Sequence, residues 1–214
     1  DQQVQKDLVE KITHRYPEDR IFAEEDGLRS PISEGSVWVI DPIDGTNNFV
    51  TQKEDFAVMV AYFEDGIGQF GLIYDVMRDH LFYGGGEFPV YRNEVELTPF
   101  VDQPLENFLI ASNVGMLEKN DWGMADLGMD SLGIRVYGSA GISFSKILSG
   151  GILAYFSYIW PWDYAAAAIM GEQLGYTVLN LNGDKPNYQS VEPIMMVPKV
   201  KLTEIQTYLK KGRS

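Results

Sequence analysis

A layered α/β (α+β) fold is what this chain predicts, and three features point to it. Strand-like and helix-like runs mix in both halves. The first half carries short apolar runs joined by tight turns, the pattern of an antiparallel meander. No strand–helix unit recurs with the regularity of a βαβ repeat.

The elements follow in order. Residues 2–16 predict an amphipathic helix, with Val4, Leu8, Ile12 and Tyr16 on one stripe, Val9 widening it and Pro17 ending it. Arg20 to Ala23 is a short strand running into Glu24-Glu25-Asp26-Gly27, and 28–36 is a polar loop. Val37 to Ile40 is a buried strand. Phe56 to Phe63, Gly68 to Asp75 and His80 to Gly84 form the meander, with turns at Glu64-Asp65-Gly66 and Met77-Arg78-Asp79. Gly84-Gly85-Gly86 is expected to be a flexible break, and Pro89 to Leu97 a hairpin.

Beyond about residue 100 the pattern changes. Strands are expected at Phe108 to Ser112, Ile134 to Tyr137, Ile152 to Tyr158, Thr177 to Leu181 and Met195 to Pro198. Helices are expected at Ile142 to Leu148, from Asp163 to near Gly175, and at Thr203 to Lys211. Residues 115–132 are weakly patterned, a helix and loop. The two lobes, 1–98 and 99–214, are expected to form one compact unit.

Composition narrows the function. Hydrophobic residues at 45% and charged residues at 22% are ordinary for a globular protein. Seventeen basic against 31 acidic residues leave a net charge of −14, which opposes binding to a nucleic-acid scaffold. The chain has no cysteine, which excludes disulfides, thiolate nucleophiles and cysteine-based zinc sites. There is no G-x-S-x-G elbow or P-loop, and His14 and His80 have no partner motif and are expected at the surface. No apolar run approaches a membrane span and no leader is visible, so the expected setting is the cytoplasm, with no membrane partner.

The chemistry concentrates in Val37-Trp38-Val39-Ile40-Asp41-Pro42-Ile43-Asp44-Gly45-Thr46-Asn47-Asn48-Phe49. An apolar run ends in two carboxylates at the edge of a core. Asp-Pro and Asp-Gly are also common turn dipeptides. Two unpaired carboxylates there would repel and rise in pKa unless a cation neutralised them, and the Ile43 carbonyl adds an oxygen to the same space. The Gly45 and Thr46 amides then open toward a phosphate. Glu24 and Glu25 also follow a strand, and a neighbouring pair of strands would bring both acidic ends to one sheet edge; a solvated acidic loop is the plain alternative. Asp163, after Trp160-Pro161-Trp162, reads as a helix N-cap with an oxygen to spare. Gly138-Ser139-Ala140 reads as a second anion-friendly helix start, or as a simple strand-to-helix turn. Together these residues point to Mg²⁺-dependent cleavage of a phosphate monoester.

In combination the motifs resemble the inositol monophosphatase family of lithium-sensitive, Mg²⁺-dependent phosphatases. The matching stretches are Phe22-Ala23-Glu24-Glu25, Trp38 to Phe49, Gly138-Ser139-Ala140 and Pro161-Trp162-Asp163-Tyr164-Ala165-Ala166, and they span essentially the whole chain. The resemblance implies a layered αβαβα sandwich of the sugar-phosphatase type. It implies two or three Mg²⁺ ions: one held by Glu24, Asp41 and the Ile43 carbonyl, with Glu25 nearby, and a second by Asp41, Asp44 and Asp163. It implies that Thr46 orients the attacking water and pairs with an aspartate on the preceding helix, which the family's spacing places at Asp1. Glu24 joins Thr46 and Asp1 in the catalytic set, and Asp44, Gly45, Thr46, Gly138, Ser139, Ala140 and Asp163 in part line the substrate. The partner implied is a small phosphorylated metabolite, and the assembly a homodimer.

Two departures bear on this expectation. The chain begins at Asp1 without an initiator Met, which implies that the family's first helix and the loop after it are lacking. Where inositol-selective relatives carry a glutamate, counting back from Asp163 gives Phe156, with Trp160 and Pro161 adding to an apolar wall. A broader phosphatase, or one taking NADP or 3′-phosphoadenosine phosphate, is therefore an open alternative to the inositol-phosphate reading. A non-catalytic, protein-binding relative is a further alternative. A Ca²⁺ module of EF-hand type is disfavoured, because the Asp41-to-Asp44 loop is too short to supply its ligands.

Overall fold

The computed structural model describes residues 1–25 and 27–211; Asp26, third in the acidic run, lies outside the described residues. Helix α1 (Gln2–Arg15) lays Leu8, Val9 and Ile12 against Ile21, Ala23 and Ile40. These last residues belong to β1 (Arg20–Ala23) and β2 (Ser36–Asp44), which pair in parallel. Tyr16 falls outside the helix, stacked on Trp38 with ring centroids 5.7 Å apart.

From β2 the sheet continues antiparallel through β3 (Ala57–Glu64), β4 (Ile67–Asp75), β5 (His80–Gly85), β6 (Phe88–Arg92) and β7 (Val95–Glu96). The expected meander is therefore present. The glycine triplet is not a flexible break, however. Gly84 and Gly85 are buried residues of β5, and a Cβ on Gly85 would lie 2.7 Å from the Ile169 carbonyl oxygen. Here glycine lets a helix backbone approach the sheet closely. His80, expected at the surface, is half-buried at the start of β5, while His14 is exposed.

The second sheet has the order β11-β12-β10-β8-β9. Its strands are β8 (Leu109–Ser112), β9 (Gly133–Arg135), β10 (Tyr155–Ile159), β11 (Tyr176–Asn180) and β12 (Glu192–Pro198). The region left open between β8 and β9 holds α3 (Val114–Glu118) and α4 (Met124–Asp130).

Two helices lie between the sheets. Helix α5 (Ala140–Leu148) touches β3, β4 and β10, and α6 (Pro161–Gln173) touches β2 to β5 and β11. Their Ile142, Phe144, Ala165, Ala166 and Met170 join Met59, Ile73 and Phe82 of one sheet to Ile194 and Met196 of the other in one apolar core. On the far side of the second sheet, Ile110, Phe156, Met195 and Val197 pack under Met124 and Leu127 of α4 and Ile205 and Leu209 of α7 (Leu202–Lys211). Helix, sheet, helices, sheet, helices: the layering is αβαβα. No helix among the described residues is long and apolar enough to cross a membrane.

The sandwich closes most tightly where α6 crosses β4. A Cβ on Gly71 would stand 2.4 Å from the Ala166 carbonyl oxygen and 2.8 Å from its Cα. Backbone cannot yield as a side-chain tip does. Gly71→Ala is therefore expected to push α6 off the sheet and destabilise the protein by about 1–3 kcal/mol, as overpacking does. Denaturant titration of the variant checks this.

Candidate active site

Parallel pairing of β1 with β2 sets Ala23 opposite Ile40, so Glu24 and Asp41 follow at the same end of this pair, Asp41 still paired with Met59 of β3. A register shift in the β2–β3 ladder between Asp41 and Asp44 bends the strand there. From the other half of the chain, α6 brings Asp163. Carboxylate oxygens of Asp41, Asp44 and Asp163 all lie within 4.8 Å of one another, with Asp41 and Asp44 buried.

Asp44 is the most firmly held. Its Oδ1 accepts the Ala140 amide at 3.1 Å; its Oδ2 accepts the Gly141 amide at 2.7 Å and the Ser139 hydroxyl. Ser139 in turn caps α5, its Oγ accepting the Ile142 amide at 3.1 Å. The anion held at this helix start is thus a side chain of the protein itself. Asp163 is not the N-cap of α6. Trp160 holds that place, Pro161 is the first helical residue, and Asp163 Oδ2 reaches back to accept the Trp160 amide at 2.7 Å. Proline suits the first position because it has no amide to satisfy.

Burial raises all three acids, and repulsion from neighbouring carboxylates adds to it at Asp41 and Asp163. Asp41 is raised well above the ordinary range, first by burial and then by Asp44, Asp163 and Glu24. Asp163 is pushed up to about 8, again by burial first and Asp44 second. Asp44 stays raised by burial although the donors from Ser139, Gly141 and Ala140 oppose it. Half-buried Glu24 is raised by burial, Glu25 and Asp44, and lowered by a hydrogen bond to Asp41 and by Arg29. Asp41 Oδ1 is buried and accepts no hydrogen bond. A group of hard oxygens with one buried lone pair unclaimed suits a hard divalent cation.

Beside this cluster, α2 (Thr46–Thr51), which the sequence pattern did not suggest, begins after Gly45. Gly45 has φ +86°, and a Cβ on it would lie 2.9 Å from Ser139 Cβ. Thr46 Oγ1 is 3.0 Å from Asp1 Oδ2 and 3.1 Å from the Ile43 carbonyl oxygen. The structure thus brings Thr46, Asp1 and the Ile43 carbonyl together. Glu24 and Glu25 are both outside the three-carboxylate cluster, and the Glu25 backbone is held by Gln5 at 2.9 Å through both N–H and C=O.

A cavity of about 320 Å³ opens next to Asp44, lined by Ser112, Asn113, Ser139, Tyr155 and Ser157 among others. Phe156 is not part of its wall. Strand alternation turns Phe156, fully buried, into the second core, and Ser157 takes the cavity side with its hydroxyl 3.2 Å from Asn113 Nδ2. Counting across the turn between β10 and α6 gave the wrong face, because one residue of slip reverses a strand's orientation.

Three contributors escaped sequence reasoning. Gln5 is a buried polar residue within the apolar face of α1. Arg29 lay in what read as a polar loop. Asn48 Nδ2 donates to the Asp55 and Tyr137 carbonyls at 2.9 and 2.7 Å, tying α2 to the segment before Gly138. Only their fold neighbours reveal them; residue type and spacing carry no such signal.

Fold and site together define a layered α/β phosphatase. The model of the inositol monophosphatase family matches residues 1–212. Inositol-1-monophosphatase of Bacillus subtilis (strain 168) is 36% identical over 190 residues, covering 86% of this chain and 72% of that protein. The 2′AMP-bound structure of SaIMPase-II has a TM-score of 0.92 at 31% identity, over 99% of this chain and 83% of that one. An IMPase/NADP phosphatase solved with Mg²⁺ and phosphate has a TM-score of 0.89 at 25% identity, over 97% and 79%. The chain belongs to the inositol monophosphatase family and is a phosphoric monoester hydrolase.

The raised carboxyls fix the sign of a pH effect. Between the ordinary carboxylate range and about pH 8, the native Asp163 keeps a proton that the unfolded chain releases. Stability without metal therefore falls as pH rises through that window. A divalent cation bound by these carboxylates would displace the proton and favour the native state, increasingly so at higher pH. Melting curves at pH 6 and 8 are expected to show a larger Mg²⁺-induced gain at pH 8.

Proposed function

We propose that this protein is a Mg²⁺-dependent phosphomonoesterase acting on a small phosphorylated metabolite through metal-activated water. The observation that carries the reading is the buried cluster of Asp41, Asp44 and Asp163, with Asp41 Oδ1 unclaimed, beside the Thr46–Asp1 hydrogen bond. Two or three ions would be held by Glu24, Asp41, the Ile43 carbonyl, Asp44 and Asp163, with Glu25 close by. A bound divalent ion supplies a water of lowered pKa and neutralises phosphate charge.

The protein's own groups do the rest. The one Thr46 hydroxyl proton goes to Asp1 or to the Ile43 carbonyl, which leaves an oxygen lone pair to accept from a water and orient it. Asp1 and the Ile43 carbonyl together thereby fix the direction of that lone pair. The Gly45 and Thr46 amides bind phosphate oxygens. Ser139, Ala140 and Gly141 act through Asp44, whose rotamer they lock. The leaving alcohol occupies the cavity beside Gly138, Ser139 and Asn113. A homodimer in the cytoplasm belongs to this reading, as the family resemblance implies.

Asp41→Asn is expected to lower phosphate release at least about 100-fold, since even partners behind the ligands cost 10- to 100-fold. Far-UV circular dichroism is expected to stay native. Undiminished activity in that variant ends the proposal. With the wild-type protein, activity is expected to require Mg²⁺ and to fall on adding Li⁺.

One observation favours nucleotides as a second reading. Trp160, 39% exposed, stacks on Trp162 at 4.9 Å and 9°, and its amide is bonded to Asp163. A rigid, half-open indole so close to the carboxylates offers a platform for a base. Stacking of this kind contributes about 1–3 kcal/mol, or about 5- to 150-fold. Trp160→Ala is expected to reduce kcat/KM for 2′-AMP by at least about 5-fold and to spare inositol 1-phosphate. Equal losses on both substrates reject the nucleotide reading.

A further inference from the structure

The acidic turn after β1 is unusually well held for a short surface segment. Beyond Ala23 the β1–β2 ladder ends, and the backbone groups of the next residues need other partners. The Ala23 amide donates to the Leu28 carbonyl at 3.0 Å and the Glu24 amide to the Ile40 carbonyl at 3.3 Å. The other four backbone groups of residues 23–25 go to two side chains. Gln5 of α1 donates to the Glu25 carbonyl and accepts the Glu25 amide, both at 2.9 Å. Arg29 donates to the Ala23 carbonyl and, at 3.4 Å, to the Glu24 carbonyl.

The two side chains come from opposite directions. Gln5 is 1% exposed and comes from the α1 side of the first sheet. Arg29, itself exposed, lies on the α6 side, its guanidinium 4.5 Å from the Trp162 ring centroid and 5.9 Å from that of Phe22. Trp162 immediately precedes Asp163 on α6. The same planar group therefore bonds the Glu24 backbone and rests on the helix that carries Asp163.

We propose that Gln5 and Arg29 are positioning residues that clamp the Glu24–Glu25 turn so that the Glu24 carboxylate is held in place for a divalent cation. The inference rests on the proposed role of Glu24 as a metal ligand. Neither residue touches the reacting atoms; each acts through the turn.

Charge alone predicts the opposite of positioning. Removing a cation near a carboxylate cluster strengthens Mg²⁺ binding by Coulomb's law. Loosening a ligand weakens it, by about 10-fold or more for partners that orient ligands. Isothermal titration of Mg²⁺ into the substrate-free protein reads the difference directly. Arg29→Ala and Gln5→Leu are each expected to weaken Mg²⁺ binding about 10-fold. Arg29→Lys is expected to recover only part of this, because an ammonium lacks the planar fork that serves two carbonyls and an indole face. In assays, most of the lost activity is expected to return as Mg²⁺ is raised.

Melting without Mg²⁺ separates folding from positioning. Arg29 is exposed, so its removal is expected to leave that melting temperature close to wild type even if Gln5→Leu lowers it. Unchanged or tighter Mg²⁺ binding in Arg29→Ala overturns the clamp. Glu24→Gln is the companion variant. If it too leaves Mg²⁺ affinity unaltered, the assignment of Glu24 as a ligand fails; if it weakens binding while Arg29→Ala and Gln5→Leu do not, only the clamp fails.

Discussion

Repulsion among Asp41, Asp44 and Asp163 is the constraint to which the rest of the site is fitted. Three carboxyls within 4.8 Å in a largely buried setting cannot all carry charge without compensation. One acid, Asp44, is stabilised by three donors from Ser139, Ala140 and Gly141. Another, Asp163, takes the amide of Trp160. The third, Asp41, keeps an oxygen with no donor at all. Such graded satisfaction is what a cation site needs. Rigid outer partners fix the shape, and an unfilled inner lone pair provides the affinity.

Assembly of that cluster depends on both halves of the chain. Asp41 and Asp44 come from β2, Asp163 from α6, and the donors to Asp44 from the start of α5. Helices α5 and α6 lie between the sheets and share their apolar cores, so the site sits where the central layer meets the first sheet. Close passage of α6 over Gly71 and Gly85 removes the side chains that would otherwise hold the helix away. Packing and chemistry are therefore coupled through one helix.

Much of this was legible from residue order. The meander, the buried strand ending in Asp41 and Asp44, the parallel neighbour bearing Glu24 and the alanine-rich helix of Asp163 all follow from apolar periodicity and turn residues. Other features obey rules that periodicity does not contain. The short helix at Thr46 has too few residues for a stripe. The glycine triplet is chosen for backbone approach, which looks the same in sequence as freedom to bend. The wall position assigned to Phe156 depends on the length of a turn that only the fold defines. Gln5 and Arg29 bond main-chain atoms, and main-chain partners leave no mark in side-chain spacing.

Ser139 and the first amides of α5 carry a further implication. A free helix start attracts whatever inorganic anion is present in solution. Here the attraction is answered from within, by Asp44, which acts as a built-in counter-ion for the helix dipole. Sulfate or chloride gains little foothold at that spot, and discrimination among anions is left to geometry elsewhere in the pocket.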